Sequence, residues 1–105
     1  MNLSFRQVSW RTGKTALSFI RRRVFIEEQN VSVEEVWDEY DEKAHHFLVF
    51  LDETPVACAR VLDEGDCFHI GRVAVLANYR NQKIGRRLME FILSWCQQNI
   101  SDHKI

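Results

Sequence analysis

Proline is nearly absent from this chain, with one in 105 residues, and glycine is sparse at four. So few breakers exclude a collagen-like or proline-rich extended chain and leave room for long regular elements. Cysteine is scarce too. Cys58, Cys67 and Cys96 are an odd number without CxxC spacing, so neither a disulfide framework nor a zinc site is expected. All three lie in apolar runs and read as core thiols. No apolar run is long enough to span a bilayer and no secretory h-region opens the chain, so the expected address is cytoplasmic, without membrane contact. An excess of positive charge is also missing. The formal net charge is −1, whereas proteins that grip nucleic acid through phosphates carry a basic surplus, so nucleic acid is not an expected partner. Repeats and low-complexity tracts are missing as well.

What is present is an ordinary globular composition, 46% hydrophobic and 28% charged. The length suits one domain, residues 1–105, with a modest core: folding a chain this size buries roughly 60–70% of its unfolded surface. Charge comes in clusters. Arg21, Arg22 and Arg23 form one, Arg80, Lys83, Arg86 and Arg87 another, and acids crowd residues 34–42.

Leu3–Val8 alternates apolar and polar residues, the pattern of a strand. Residues 9–14 read as a turn. From Thr15 a helical stripe of Ala16, Leu17, Ile20, Val24 and Phe25 begins, with Arg21, Arg22 and Glu28 off it, and ends near Gln29 and Asn30. Ser32 with Glu35 resembles a capping box for a short second helix anchored by Trp37; residues 38–44 follow as an acidic loop. Residues 46–51 and 56–62 make a hairpin across the turn Asp52-Glu53-Thr54-Pro55, and residues 67–76 a third strand of that group. Ile84, Leu88, Phe91, Ile92 and Trp95 mark one face of a final helix to about residue 99, and Met89, Leu93, Cys96 and Ile100 a second stripe. The order β-α-α-β-β-β-α predicts an α/β (α+β) domain, a sheet covered by helices. A strand begins at residues 103–105 without room to finish, so the C-terminal strand reads as truncated and the domain as incomplete. The apolar sheet edge at Val73, Ala74 and Val75 then invites a homodimer.

The chemistry concentrates where the strand ending at Val75 passes through a polar turn into that last helix. The first turn of a helix presents unpaired N–H groups and a partial positive charge, a ready seat for phosphate. Gly85 lets a ligand approach the backbone, and Arg80, Lys83, Arg86 and Arg87 surround the same place. The plain alternative is a glycine that permits close helix–sheet packing beside a solvated basic face. Basic residues at a helix start oppose the macrodipole by a few tenths of a kcal/mol each. A feature placed against local preference favours a ligand.

Val73-Ala74-Val75 followed by Tyr79-Arg80-Asn81-Gln82-Lys83-Ile84-Gly85-Arg86-Arg87-Leu88-Met89 resembles the acetyl-CoA motif (Gln/Arg)-x-x-Gly-x-(Gly/Ala) of the GNAT superfamily of N-acetyltransferases. Arg23-Val24-Phe25-Ile26-Glu27-Glu28-Gln29, Asp38-Glu39-Tyr40-Asp41 and Ala44-His45-His46 are similar to its ElaA/YjcF-like branch. The resemblance implies a mixed, mainly antiparallel sheet flanked by helices. It also implies acetyl-CoA as acyl-donor co-substrate and a small-molecule or peptide amine that attacks the thioester directly. The cofactor-binding residues it implies are Val73, Ala74, Val75, Arg80, Asn81, Gln82, Lys83, Ile84, Gly85 and Arg86. Lys83 stands in place of the motif's first Gly, and Asn81 where Gly is frequent. Gly71 stands where many relatives carry a general-base Glu.

Base candidates are therefore sought elsewhere. His69 shares the strand face of Gly71 by the period-2 rule, and imidazole titrates near neutrality; the bland alternative is a hydrogen-bonded strand histidine. The resemblance adds Glu28, Asp38 and Asp41, although the two aspartates also suit a solvated loop or a turn cap. His45 and His46 lack a third ligand at metal spacing, and no metal is expected. Tyr40 and Tyr79 do not match the tyrosine that often protonates the leaving thiolate. A non-catalytic acyl-CoA-binding module, or an inactive fragment acting through protein contacts, is the alternative to an enzyme.

Overall fold

Four antiparallel strands in sequential order make the sheet: β1 (Leu3–Val8), β2 (His45–Leu51), β3 (Thr54–Asp63) and β4 (Phe68–Val75). The computed structural model describes residues 2–99, so the strand expected to begin at residues 103–105, and Ile100 of the second helical stripe, lie outside the described residues. Between β1 and β2 run α1 (Trp10–Arg21), a wider π-helical continuation (Arg22–Glu28), α2 (Val33–Val36) and a 3-10 turn (Glu39–Glu42). After β4 a second 3-10 turn (Ala77–Tyr79) leads to α3 (Ile84–Asn99). This is the helix-flanked mixed α/β sheet that the order of elements predicted.

Strand periodicity sorts the core into two layers. Phe47, Val49, Ala57, Ala59 and Val61 pack with Ile84, Leu88 and Ile92 of α3. Leu48, Cys58 and Ala74 point the other way, against Leu17, Ile20 and Val24. Full burial of one such aliphatic side chain contributes roughly 1.5–3 kcal/mol, far more than helix propensities of a few tenths per residue. The spacing of Ile84, Leu88 and Ile92 therefore decides that residues 84–99 are helical. Aromatic rings close the far side of this layer: Phe91 stacks on Phe5 at 5.7 Å between centroids and Trp95 meets Phe47 edge-on at 5.5 Å.

The turn expected at residues 9–14 is instead the first turn of α1. Ser9 caps it, its Oγ accepting from the Thr12 N–H at 3.1 Å. Gly13, inside that first turn, is there for space. A Cβ at Gly13 would lie 2.5 Å from Val8 Cγ2, so α1 can lie this close to β1 only without a side chain. The capping box expected at Ser32 forms six residues later. Asp38 accepts from the Tyr40 N–H at 3.0 Å and Asp41 from the Asp38 N–H at 3.3 Å. Val36, not Trp37, is the buried residue of α2. Of the cysteines expected in the core, Cys58 is buried, Cys96 half-buried and Cys67 exposed at the turn into β4.

One irregularity positions everything that follows. Cys58 pairs with Ala74 and Arg60 with Gly71, so Ala59 alone faces two residues, Arg72 and Val73. This β-bulge puts Arg72 at φ +54°, and such bulges re-aim side chains and interrupt pairing.

Candidate active site

β4 is the last strand in the sheet order among the described residues, so its outer backbone edge is open there. Past the bulge, Val73 is 40% exposed while Ala74 is buried against the α1 layer. The chain then turns sharply. Leu76 N–H donates to the Val56 carbonyl at 2.9 Å and Tyr79 N–H to the Leu76 carbonyl at 2.9 Å. Asn81 and Lys83 both take left-handed backbone conformations, at φ +66° and +64°. α3 starts at once. Its first i→i−4 bond runs from the Arg87 N–H to the Lys83 carbonyl at 3.0 Å, so the N–H groups of Ile84, Gly85 and Arg86 precede any intrahelical acceptor. A Cβ on Gly85 would meet Val75 Cγ2 at 3.5 Å, an ordinary contact. The protein's own packing therefore does not demand a glycine at position 85.

The expected cofactor residues are thus contiguous in space: an open strand edge, a turn held by two positive-φ residues and a bare helix start. Their charges are not equally free. Arg80 donates from Nε to the Val75 carbonyl at 2.9 Å and grips Glu28 with both terminal nitrogens, at 3.0 and 2.7 Å. The Arg80 hydrogen bonds hold the Glu28 carboxyl below its ordinary range, and Glu28 in turn raises Arg80. The pair ties the end of the π-helical segment to the turn. Lys83 and Arg86 are exposed, with Arg86 near Glu90 at 3.5 Å. Arg87 lies over the Phe5 ring at 5.1 Å and, with Gln82 and Ile84, lines an open cavity of about 660 Å3. A second cavity of about 360 Å3, lined by Glu28, Leu76 and Tyr79 among others, opens on the α1 side of the same turn.

The base candidates separate. His69 is exposed on the α1 face of β4, next to Gly71, where an added Cβ would meet only His69 Cδ2, at 3.9 Å. Asp41, one of the base candidates, is 2% exposed and fully engaged. Arg21 holds it through two bonds of 2.9 Å, and Arg60 adds a third at 2.9 Å. Burial raises the Asp41 carboxyl, but hydrogen bonds and charge from Arg21 and Arg60 outweigh it and keep it below the ordinary value. Asp38 is likewise not a solvated loop residue: Arg60 grips it at 2.7 and 2.9 Å and Arg72 at 3.0 Å. Its carboxyl is held low, chiefly by the Arg60 hydrogen bonds.

The sequence reading missed this cluster, in which Arg21, Arg60 and Asp41 are buried and Asp38 and Arg72 half-buried. Arg21 was placed off the apolar stripe of α1 and is 0% exposed, packed under the Trp10 ring at 5.2 Å. A signal was available: Arg60 interrupts an otherwise apolar strand, and a buried guanidinium requires carboxylates nearby. His46 joins the cluster, donating from Nε2 to the Asp41 carbonyl at 2.7 Å. No group of three His, Cys, Asp or Glu side chains is arranged to hold a metal ion among the described residues. None of the described helices is long and apolar enough to cross a membrane.

The model of the acetyltransferase (GNAT) family matches residues 14–105. The chain belongs to the GNAT family. It is 32% identical over 72 residues to the uncharacterised N-acetyltransferase YjcF of Bacillus subtilis, covering 69% of this chain and 51% of that protein. It is 32% identical over 94 residues to the protein ElaA of Escherichia coli, covering 86% and 61%. The chain thus spans about half to three-fifths of these curated GNAT relatives. The crystal structure of E. coli ElaA superposes with a TM-score of 0.81 at 27% identity, over 92% of this chain and 71% of that one. An acyl-CoA N-acyltransferase from Pseudomonas aeruginosa gives 0.80 at 30% identity, over 92% and 72%. GNAT proteins typically use acetyl-CoA, and membership supports acyl transfer by this fold.

Proposed function

We propose that this chain is the acyl-CoA-binding part of an N-acetyltransferase that moves an acetyl group from acetyl-CoA to an amine. The observation that carries the reading is the junction of the open β4 edge with the turn at residues 80–83 and the start of α3, within a chain that belongs to the GNAT family. The N–H groups at Ile84, Gly85 and Arg86, with the Lys83 ammonium, hold the pyrophosphate. Arg80 acts differently from Lys83: clamped by Glu28, it fixes the shape of the turn. Glu28 is therefore a positioning residue in this reading and not a base.

The outer backbone of Val73, Ala74 and Val75 hydrogen-bonds the pantetheine arm. One N–H there polarises the thioester carbonyl, whose oxygen gains negative charge as the amine nitrogen bonds to the acyl carbon. The C–S bond then breaks, the sulfur leaves as thiolate and takes up a proton, and the nitrogen loses one. His69, exposed on the neighbouring stretch of β4 and free of the arginine cluster, is the base, through water. Holding amine and thioester together supplies much of the acceleration.

The test pairs calorimetric titration of CoA with a thiol-release assay on a panel of amines. CoA binding and turnover are expected from the wild type. In Gly85→Ala, binding is expected to weaken at least roughly tenfold, about 1.4 kcal/mol, while the melting temperature holds, since the added Cβ meets Val75 at an ordinary 3.5 Å. Unchanged affinity in that variant overturns the site. Binding without turnover on any amine would leave a non-catalytic acyl-CoA module.

A further inference from the structure

The arginine cluster contains more cation than it can neutralise. Arg21, Arg60 and Arg72 share the carboxylates of Asp38 and Asp41, three positive charges on two negative ones. Those carboxylates are already full. Asp41 Oδ1 accepts from Arg21 and Arg60, and Oδ2 from Arg21 and the Asp38 N–H. Asp38 Oδ1 accepts from Arg60 and the Tyr40 N–H, and Oδ2 from Arg60 and Arg72. Two acceptances per oxygen exhaust the ordinary capacity of a carboxylate. The exposed Glu34 and Glu35 make no hydrogen bond or ion pair with these guanidiniums among the described residues.

The surplus sits at the surface, on Arg72. Its side chain is 25% exposed, against 1% for Arg21 and 6% for Arg60. Nε is held by the Val36 carbonyl at 2.9 Å and Nη2 by Asp38, which fixes the plane of the guanidinium. Nη1 has no partner among the described residues. The backbone at Arg72 is strained to φ +54° to aim this side chain onto the α1 face, and strain of this kind concentrates at functional sites. On that face, between Arg72 and His69, Gly71 contributes no side chain, and the space above it is open. Burial, and then the charge of Arg60, hold the Arg72 guanidinium below its ordinary value, as befits a cation short of negative partners.

The geometry points to Arg72 as the residue that recognises the acceptor, and to an acceptor that carries a carboxylate near its reacting amine. The inference rests on the acyltransferase reading above, which lays the thioester along β4 beside Val73. An amine seated over Gly71 then faces His69 on one side, while its carboxylate meets the free edge of Arg72 on the other.

The test titrates the protein, with and without CoA, with three ligands of similar length: glutarate, its neutral diamide glutaramide, and 1,5-diaminopentane. Glutarate is expected to bind at least roughly tenfold more tightly than either of the others, a difference of about 1.4 kcal/mol. Arg72→Gln is expected to bring the three to parity. Should that variant fail to fold, as its circular dichroism melt will show, Arg72→Lys decides. It keeps the charge without the planar fork, and is expected to weaken glutarate several-fold while leaving glutaramide unchanged. Equal binding of the three by the wild type, a preference for the diamine, or an undiminished glutarate preference in a folded Arg72 variant overturns the inference. Failure to bind CoA counts instead against the acyltransferase reading, and the CoA-free titration still reports on Arg72.

Discussion

Lys83 occupies a position that suits glycine, and the structure shows why. At φ +64° an L side chain crowds the following carbonyl, at roughly 1–2 kcal/mol, while glycine would lose about 0.5–1 kcal/mol of that advantage to its freer unfolded chain. Lys83→Gly should therefore raise stability slightly, by about 0.5 kcal/mol. Its effect on ligand binding has the opposite sign in our reading. The ammonium is exposed, so its contact with a phosphate is screened and contributes about 1 kcal/mol. Removing it should weaken CoA several-fold. Melting and calorimetry on one variant thus give opposed signs, and tighter CoA binding would mark Lys83 as an obstruction. Asn81, the other departure from glycine in this turn, takes φ +66° at less cost because asparagine tolerates that region. The sequence located the turn correctly through Arg80 and Gly85. It could not show that Arg80 is occupied by Glu28, because a contact between residues 52 apart in the chain leaves no local pattern.

At the scale of elements, the legible parts were those with a clear pattern. β1 by its alternation, β2, β3 and β4 as apolar runs closed by turn residues, and α3 by its 3.6-residue stripe came close to their observed bounds. The start of α1 was read as a turn, whereas Gly13 serves there as a contact point. Gly13→Ala tests that account. Alanine favours the helix by about 1 kcal/mol, but its Cβ would sit 2.5 Å from the stiff Val8 side chain and 3.2 Å from Leu17 Cδ1. Overpacking of this kind costs about 1–3 kcal/mol, so the expected net loss is about 1 kcal/mol in urea unfolding. A gain in stability would mean that Val8 yields easily.

Residues 38–44 were read as an acidic loop because their carboxylates looked solvated, whereas the fold there depends on Asp38 and Asp41 being ionised. Its pH dependence follows. Asp38 and Asp41 have lowered folded values, so the stability they contribute is present above their unfolded values of 3.8 and is lost as pH falls through the folded ones. His46 is also lowered, by burial first, from 6.5. Below about 6.5 the unfolded chain takes up the imidazole proton before the folded one does, so stability already begins to fall there. Urea midpoints should therefore decline from about pH 6.5 downward and drop again in the carboxylate range. His46→Gln should flatten only the upper step. A midpoint independent of pH between 5 and 7 in the wild type, values chosen about the ordinary imidazole range, would refute the role given to His46.

At the scale of the whole molecule, the described residues leave one flank uncovered. β4 pairs only with β3 among the described residues, and next to it α3 leaves Leu93 of its second stripe 54% exposed, while Met89 and Cys96 pack on the core. Phe68, Leu93 and Cys96 line an open apolar cavity of about 450 Å3 between that helix and the strand. An unpaired strand edge beside an apolar groove is a template for association. The 105-residue polypeptide alone should therefore be found as dimers or larger species by light scattering at micromolar concentration. The interaction should depend on both features. A charge on the edge, Val73→Lys, or in the groove, Leu93→Lys, should shift the population toward monomer without lowering the melting temperature, since both side chains are exposed at 40% and 54%. The thiol-release rate separates this from the chemistry: Leu93→Lys touches neither the turn nor the α1 face of β4, so a monomeric variant should keep whatever turnover the wild type has. A wild-type polypeptide that is monomeric at every concentration tested would show that the edge is protected by means other than self-association, and would remove the case for a homodimer.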